Sequence, residues 1–378
     1  MNRTRGKVKF QVEKAAFSDA VSWAARTLPT RPATPTLAGL LIDAASGELQ
    51  LSTFDFSTSA KAVVKADVFT PGKVLVNGRI LADIVKALPN KPITIEINGS
   101  RVELSCDRSN FLLPTIPDHD YPALPELPTL GGTIPTALFA ETVTMVAVAA
   151  GMDSTLPMLT GIKIEIVGDS LTLAATDRYR LAVKEINWQP DTANMEINAL
   201  IPAKNLADAA RTLTGESVRL TFSSSDDGEK LIGIEAVGKK MTSRLLDAEF
   251  PKYKTLLPPD STTIVTLNTQ SLIDSVKRVA LVADRNSPVR CSFNEGEVIL
   301  TAGNGDDPMA TEVVECEISG DGLDIAFNHQ YLIEGLNAVG SASSQLMFTS
   351  PNKPAVLAAA GSTTPNYRYL LMPVRLNG

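Results

Sequence analysis

The sequence contains few of the side chains that carry most enzyme chemistry. It has only two histidines and three cysteines, and Cys106, Cys291 and Cys316 stand far apart without a Cys-x-x-Cys pair. A histidine-based catalytic triad and a structural zinc site are therefore unsupported, and the cysteine spacing indicates a reducing compartment. We predict no catalytic residue, no metal and no other cofactor.

Long apolar runs and an excess of positive charge are also missing. No stretch approaches the length of a membrane span, and the first residues lack the apolar core of a signal peptide, so we expect a cytoplasmic protein. The 35 basic and 42 acidic residues give a net charge of −7, which excludes a global basic field for nucleic acid but leaves a local basic surface open. Aromatic residues make up 5%, whereas 24 glycines and 24 prolines fit many short strands and turns.

What the sequence does contain is a threefold repeat. The segment VNGRILAD at residues 76–83 returns as IPAKNLAD at residues 201–208 and as FNHQYLIE at residues 327–334. Each copy is typical of a strand end followed by a helix start, with a leucine anchor and an acidic residue in the first helical turn, where a negative charge suits the helix dipole. The repeats are too long for a solenoid, so we infer tandem α+β domains of two helices and about eight strands each.

A second repeated element and two breaks give the domain boundaries. A hairpin at residues 39–55 returns 122 residues later, at residues 161–177. Residues 114–135 hold six prolines, a density that predicts a linker rather than a helix or a central strand, and residues 256–260 form a second break. The predicted domains are residues 1–127, 133–256 and 259–378.

The most informative stretch is residues 156–183. Isoleucines alternate with Lys163 and Glu165, and a Gly-Asp turn leads into a second alternating run, which predicts a two-stranded hairpin. Four polar or amphipathic residues, DRYR at residues 177–180, then separate two apolar runs. Such a cluster is either a solvated edge or a site.

Four segments make the sequence specific to one family. LPMLTGIKIE and LTLAATDRYRLAV lie within residues 156–183, EFPKY at residues 249–253, and YLLMPVRL at residues 369–376. In this order, and together with the threefold repeat, they resemble the bacterial DNA polymerase III beta subunits, the sliding clamps, and in particular actinobacterial members. The resemblance covers essentially the whole chain.

The resemblance implies a processivity factor without catalytic activity of its own. Three-domain subunits would join head to tail as a homodimer and close a six-domain ring around duplex DNA, without sequence preference, with helices lining the hole and sheets outside. It also implies association with the nucleoid during replication. An acidic total suits this function, because a strong electrostatic grip on DNA would oppose sliding.

The resemblance further implies a pocket between the second and third domains for short peptides with leucine and aromatic anchors, carried by the replicative polymerase, the clamp loader and other clamp-binding proteins. Its residues would be Leu159, Thr176, Arg178, Tyr179, Arg180, Leu181, Pro251, Leu256, Pro354, Leu370, Leu371, Met372, Pro373, Val374, Arg375 and Leu376. Two features depart from the family pattern and put the pocket shape in question. Arg178-Tyr179 is bulkier than the Gly-His of some relatives, and Asn377-Gly378 extend past the usual terminal leucine.

DNA contacts are implied for three basic residues. Arg79 and Lys204 stand at equivalent helix starts, where they could contact phosphate, and Arg31 matches a basic loop residue that touches DNA in similar clamps. Gln330, at the third helix start, is better explained as an exposed polar residue.

The dimer contact is expected between the first domain of one subunit and the third domain of the other. Phe111 and Leu113 on an edge strand, with Arg108, would face Leu281 near the end of a third-domain helix, and pairing of edge strands would continue the sheet. Membership of the apolar core is an almost equally good explanation for Phe111 and Leu281.

Two other functions stay open from the sequence. One is a repeat-built peptide-binding scaffold that does not encircle DNA, which salt-tolerant retention on circular DNA would exclude. The other is an enzyme centred on Asp177 and Tyr179, which loss of turnover in Asp177→Asn would support.

Overall fold

The computed structural model describes residues 8–224, 229–283, 287–303, 309–362 and 365–375. Within these residues it has six α-helices and 26 β-strands, with two helices in each predicted third of the chain. The α+β class is confirmed. No helix in the described part of the chain is long and apolar enough to cross a membrane.

The elements of the first third are β1 (Val8–Val12), α1 (Lys14–Ala25), β2 (Gly39–Ala45), β3 (Glu48–Phe54), β4 (Thr58–Lys65), β5 (Asp67–Thr70), β6 (Gly72–Asn77), α2 (Gly78–Ala87), β7 (Ile93–Asn98), β8 (Arg101–Cys106) and β9 (Ser109–Ile116). Those of the central third are β10 (Leu130–Pro135), α3 (Thr136–Ala147), β11 (Gly161–Val167), β12 (Ser170–Thr176), β13 (Arg180–Asn187), β14 (Gln189–Pro190), β15 (Glu196–Pro202), α4 (Ala203–Ala210), β16 (Ser217–Phe222), β17 (Leu231–Ala236) and β18 (Lys239–Arg244).

The last third contains β19 (Thr263–Asn268), α5 (Thr269–Val279), β20 (Val289–Asn294), β21 (Glu297–Ala302), β22 (Ala310–Ser319), β23 (Leu323–Phe327), α6 (His329–Val339), β24 (Ser343–Phe348), β25 (Ala355–Ala359) and β26 (Tyr367–Leu371). Short 3-10 turns occur at Pro35–Ala38, Pro157–Leu159, Tyr253–Leu256 and Ala280–Val282.

The predicted hairpin of the central third is present as β11 and β12. The isoleucines of β11 are buried, and Lys163 and Glu165 between them are partly exposed, as the alternation requires. Gly168 has φ 60° in the connecting turn, the left-handed conformation that glycine adopts without a steric penalty.

The helix starts follow the repeat, but the predicted position of the acidic residues is wrong. Asp83, Asp208 and Glu334 fall outside the first turn, because α2, α4 and α6 begin five residues before them and each is the sixth residue of its helix. In α2 and α6 an asparagine side chain satisfies the helix start instead: Asn77 accepts from the Ile80 N–H and Asn328 from the Tyr331 N–H, both at 3.1 Å.

The predicted linker at residues 114–135 is too long at both ends. Strand β9 continues to Ile116 and β10 begins at Leu130, so the irregular segment covers only residues 117–129. Pro114 is tolerated because, over Ser109 to Pro114, the only strand paired with β9 in the described chain is β8.

The chain divides into two compact units that do not coincide with the predicted thirds, whose exact boundaries remain a prediction. The first unit contains a 14-stranded sheet, in which β18 of the central third pairs with β4 of the first. The second contains a 12-stranded sheet, in which β13 of the central third pairs with β26 of the last. Within each unit a sheet therefore runs through a junction between thirds.

Candidate functional site

Residues 177–180, here called the Asp177 turn, connect β12 and β13 in the second unit. The Oδ1 atom of Asp177 accepts hydrogen bonds from the backbone N–H groups of Tyr179 and Arg180, both at 3.0 Å. Arg178 has φ 82°, a left-handed conformation that is unusual for a residue with a side chain. This fixed turn leaves the Tyr179 side chain 56% exposed.

Arg180 is buried, and its guanidinium contacts three hydrogen-bond acceptors and one aromatic ring. Its Nε donates to Asp177 Oδ2 at 3.0 Å, and its Nη1 donates to Glu334 and, at 3.4 Å, to the Tyr369 hydroxyl. The guanidinium carbon lies 4.3 Å from the centre of the Tyr331 ring, in cation–π contact. Burial opposes the charged form, but Tyr369, Glu334 and Asp177 outweigh it and raise the Arg180 pKa above its ordinary value. We call these five residues the Arg180 cluster.

Helix α6 supplies the aromatic side of the cluster because a glycine lets it approach the sheet. A Cβ at Gly335 would lie 2.4 Å from the Tyr369 ring, so only glycine permits this packing. The Tyr369 hydroxyl donates to the Tyr331 carbonyl at 3.0 Å, which fixes the first turn of the helix against β26. The rings of Tyr331 and Tyr179 then stack with centroids 6.3 Å apart.

The chain after β26 runs beside the Asp177 turn. The Met372 N–H donates to the Tyr179 carbonyl at 2.9 Å, and the Val374 N–H donates to the Ala326 carbonyl at 2.8 Å. The side chains of Met372, Val374 and Arg375 are exposed. An exposed apolar surface therefore lies next to Tyr179, with its backbone fixed by hydrogen bonds.

Other predicted pocket residues form a floor rather than an open surface. Leu181 and Leu370 are opposite each other across β13 and β26 and belong to one buried cluster with Phe250 and Tyr253. Also buried are Leu159, Thr176 and Leu371. The Thr176 hydroxyl donates to the Arg180 carbonyl at 2.6 Å and so closes the base of the turn.

The remaining predicted pocket residues lie on neighbouring segments of the same unit. Leu256 is half-exposed at the end of a 3-10 turn, and Pro251 precedes that turn. Pro354 directly precedes Ala355, which pairs with Leu371 in the sheet. Leu376 lies outside the described residues, as do Asn377 and Gly378.

Sequence reasoning gave no site role to three members of the Arg180 cluster, Tyr331, Glu334 and Tyr369, although Tyr369 begins the last of the family motifs. Tyr331 and Glu334 come from the third copy of the helix motif, about 150 residues away along the chain. One sequence signal could have indicated their role: the third copy has Tyr331 where the other two copies have Ile80 and Asn205.

The basic residues predicted to contact DNA are all exposed. Arg31 lies in the loop after α1, and Lys204 lies in the first turn of α4. Arg79 Nη2 donates to the Leu28 carbonyl at 2.9 Å, which holds its guanidinium against the turn that follows α1. Gln330 donates to Glu334 at 2.6 Å and is exposed.

The predicted dimer residues differ in accessibility. Leu281 is 83% exposed in the 3-10 turn after α5, and Phe111 is 37% exposed on β9, beside exposed Arg108 in the β8–β9 turn. Leu113 is buried, so its side chain belongs to the core of the first unit and only its backbone is available to a partner strand.

No group of three or more metal-ligating side chains occurs among the residues that the structure describes. In the linker, His119 Nε2 lies 3.0 Å from Asp120 Oδ2, and both side chains are exposed. The described part of the chain thus presents a surface of aromatic and apolar side chains around a satisfied arginine, which suits binding rather than catalysis.

Family models match the chain along almost its whole length. They are the N-terminal, central and C-terminal domains of the DNA polymerase III beta subunit, over residues 8–125, 133–252 and 254–375. The chain belongs to the DNA polymerase III beta subunit family, the beta sliding clamps. It is accordingly a polymerase processivity factor and a non-catalytic subunit, as the motifs predicted.

Individual relatives agree with this assignment. The beta sliding clamp of Streptomyces coelicolor is 49% identical over 376 residues, covering 98% of this chain and all of the relative. That of Micrococcus luteus is 46% identical and covers 82% of this chain, so the predicted similarity to actinobacterial clamps is confirmed. The crystal structure of the Thermotoga maritima beta subunit superimposes with a TM-score of 0.89 at 25% identity, over 98% of this chain and all of the other.

Proposed function

We propose that two copies of the chain close head to tail around duplex DNA and that the Asp177 turn binds the proteins that this ring tethers. The observation that carries the proposal is the Arg180 cluster beside the exposed side chains of Tyr179, Met372 and Val374. Leu256, in the same unit, is also exposed. The partners are the replicative polymerase, the clamp loader and other proteins with short clamp-binding segments.

The chemistry of this surface favours peptides with leucine and aromatic anchors. Binding energy at interfaces concentrates where aromatic and apolar side chains are desolvated on a rigid support. The Arg180 cluster supplies that rigidity, because each hydrogen bond to the guanidinium restricts either the turn, helix α6 or β26. Arg178 and Arg375, both exposed, add positive charge at the rim for acidic residues in a partner.

Only a few basic residues are proposed to contact the DNA. Arg31, Arg79 and Lys204 are the basic residues assigned to phosphate contact, and the chain as a whole has a net charge of −7. Each phosphate contact adds salt-dependent affinity, so a small number of them allows movement along DNA while the closed ring prevents escape.

The dimer part of the proposal rests on an open strand edge and an exposed leucine. Over Ser109 to Pro114, β9 pairs only with β8 among the described strands, so its other edge can accept a strand from a second copy. Exposed Leu281 and Phe111 supply apolar area for the same contact.

Mass in solution and retention on DNA test the ring. Wild-type chain is expected to scatter light as a particle of twice 40.3 kDa and to stay on nicked circular DNA in high salt until the circle is linearised. Leu281→Ala should lower the dimer fraction and the retention together, whereas Met152→Ala, an exposed residue outside the predicted contact, should change neither. A wild-type monomer at all concentrations, or equal retention on circular and linear DNA, would contradict the ring.

A further inference from the structure

The sheet face that forms the floor of the proposed partner site continues into a second depression. Residues 250–257, here called the strap, cross this face, with Phe250 and Tyr253 packed on Leu181 and Leu370. On the far side of the strap lies a groove of about 1120 Å³. It is lined by residues of β11, β12, β13, β24, β25 and β26, by Tyr253 and Lys254 of the strap, and by residues 257–261 and 365–366. We call it the rear groove; all of its lining belongs to the second unit.

The rear groove contains an unsatisfied hydrogen-bond donor. The Nε of Arg368 on β26 is buried and has no hydrogen-bond partner, and no ion pair of its guanidinium occurs in the described chain. Buried polar groups in native structures are nearly always paired with protein atoms or ordered water, so a small shift of the Arg368 side chain toward the groove would let this donor meet an acceptor from outside the chain. A carbonyl or carboxylate oxygen of a ligand would fill this role.

The charges of the groove restrict which ligand this can be. Three carboxylates, Glu165, Glu185 and Asp260, line it together with Lys254 and Arg368. Nucleic acid or another polyanion would face those carboxylates, which disfavours it. A polypeptide backbone carries both hydrogen-bond donors and acceptors. It therefore suits a groove lined by acidic and basic side chains together with those of Ser, Thr and Asn.

A smaller cavity adjoins the rear groove on the side of Pro251. It has a volume of about 450 Å³, reaches Pro251 of the predicted pocket, and shares Glu165, Tyr253 and Lys254 with the rear groove. At the junction the Tyr253 hydroxyl donates to Glu165 at 2.8 Å, and Lys254 Nζ lies 2.8 Å from the same carboxylate. Burial would raise the pKa of Glu165, but these two partners lower it, so the carboxylate is charged and holds the strap at neutral pH.

We propose that the rear groove binds an extended segment of the tethered partner, contiguous with the short apolar segment bound at the Asp177 turn. The segment passes around the strap at Pro251, and a backbone carbonyl or acidic side chain accepts from Arg368. This inference rests on the proposed partner site and adds a second determinant of partner choice to it. Partners that share the same short anchors would then differ in affinity through their flanking residues.

The test compares a whole partner with an isolated anchor peptide. The probes are the cognate replicative polymerase and a synthetic peptide that carries only the leucine and aromatic anchors, both titrated against the full chain. Arg368→Gln should raise the polymerase Kd about fivefold or more and change the peptide Kd by less than about twofold, because only the polymerase reaches the groove. Lys65→Gln, an exposed lysine on β4 in the first unit, is the matched control and should change neither.

Four further results decide between explanations. Unchanged polymerase affinity in both Arg368→Gln and Arg368→Glu would overturn the proposal, as would a parallel rise of both Kd values, which would mean that the substitution only disturbs the partner site. A photo-crosslinker at Thr172 in the groove should join to the polymerase; crosslinking to a second copy of this chain instead would also overturn it. Tyr179→Ala tests the partner site itself, since unchanged affinity of both probes there would refute the proposed function whatever Arg368 does.

Discussion

The turn at residues 55–58, here called the Asp55 turn, has the same backbone as the Asp177 turn but different chemistry. In the Asp55 turn the Asp55 Oδ1 atom accepts from the backbone N–H groups of Ser57 and Thr58, at 2.9 and 2.7 Å. These are the third and fourth residues of the turn, and Asp177 accepts from the third and fourth residues of its own turn in the same way. The second residue is left-handed in both, with φ 69° at Phe56 and 82° at Arg178.

The neighbouring strand is attached in the same way at both places. The Arg244 N–H donates to the Ser57 carbonyl at 2.8 Å in the first unit, and the Met372 N–H donates to the Tyr179 carbonyl at 2.9 Å in the second. The threefold repeat thus produces the same backbone at two junctions between thirds, within separate units.

The side chains decide which copy can act as a site. The Asp55 turn has Thr58 and Ser59 where the Asp177 turn has Arg180 and Leu181, and Ser59 Oγ lies 2.6 Å from Thr242 Oγ1 in a small buried pair. A pair of hydroxyls closes the first junction without a charge. The comparison teaches that the repeat supplies the scaffold and that the arginine with its aromatic partners supplies the function.

The largest expected difference between the two turns is in stability. Arg180→Ala removes a buried charge and leaves Asp177 and Glu334 without their positively charged partner, which should lower the free energy of unfolding by about 3–5 kcal/mol. Thr58→Ala at the equivalent position leaves no charge unpaired and should cost at most about 1–2 kcal/mol. Urea unfolding followed by circular dichroism measures both; equal losses would mean that the Arg180 cluster is not a special source of rigidity.

Partner binding should separate the turns next. Tyr179→Ala removes the exposed aromatic side chain of the proposed site and should raise the Kd of a leucine- and phenylalanine-anchored peptide about tenfold or more. Ser57→Ala, the matched position of the Asp55 turn, should change that Kd by less than about twofold. Isothermal titration measures the two values, and a similar loss in both variants would argue against a single binding turn.

The smallest expected effect concerns the left-handed residues. Arg178→Gly should raise the free energy of unfolding by about 0.5–1 kcal/mol, because relief of the left-handed backbone exceeds the entropy that glycine adds to the unfolded chain. Phe56→Gly should gain less, since the Phe56 ring also contacts Phe54 with centroids 5.6 Å apart. Thermal unfolding compares the pair. If Phe56→Gly raised the free energy of unfolding more than Arg178→Gly, the Phe54–Phe56 ring contact would contribute too little stability to explain a difference between the two turns.

Much of the fold follows from the sequence alone because it depends on near neighbours. The alternation in residues 161–176 predicts the β11–β12 hairpin, and the repeated motif at residues 76–83 predicts the start of α2. Each of these signals depends on side chains within a few residues of one another, where backbone geometry fixes the spacing. The family motifs also identified the Asp177 turn, since its residues are contiguous.

Other features depend on residues that are distant in the chain. The ion pair of Arg180 with Glu334 joins positions 154 residues apart, and the stacking of Tyr179 on Tyr331 has a comparable separation. No local pattern encodes such a pairing, because it exists only once α6 has packed on β26.

The sequence by itself therefore determined the repeat, the class of fold, the family and the turn that bears the proposed site. Tertiary structure alone decided that Leu113 is core while Leu281 is exposed, that the sheets run through the junctions between thirds, and that Arg368 faces a groove. The physical reason is that burial and partner choice are properties of the packed chain, in which each side chain's surroundings come from segments far away in sequence.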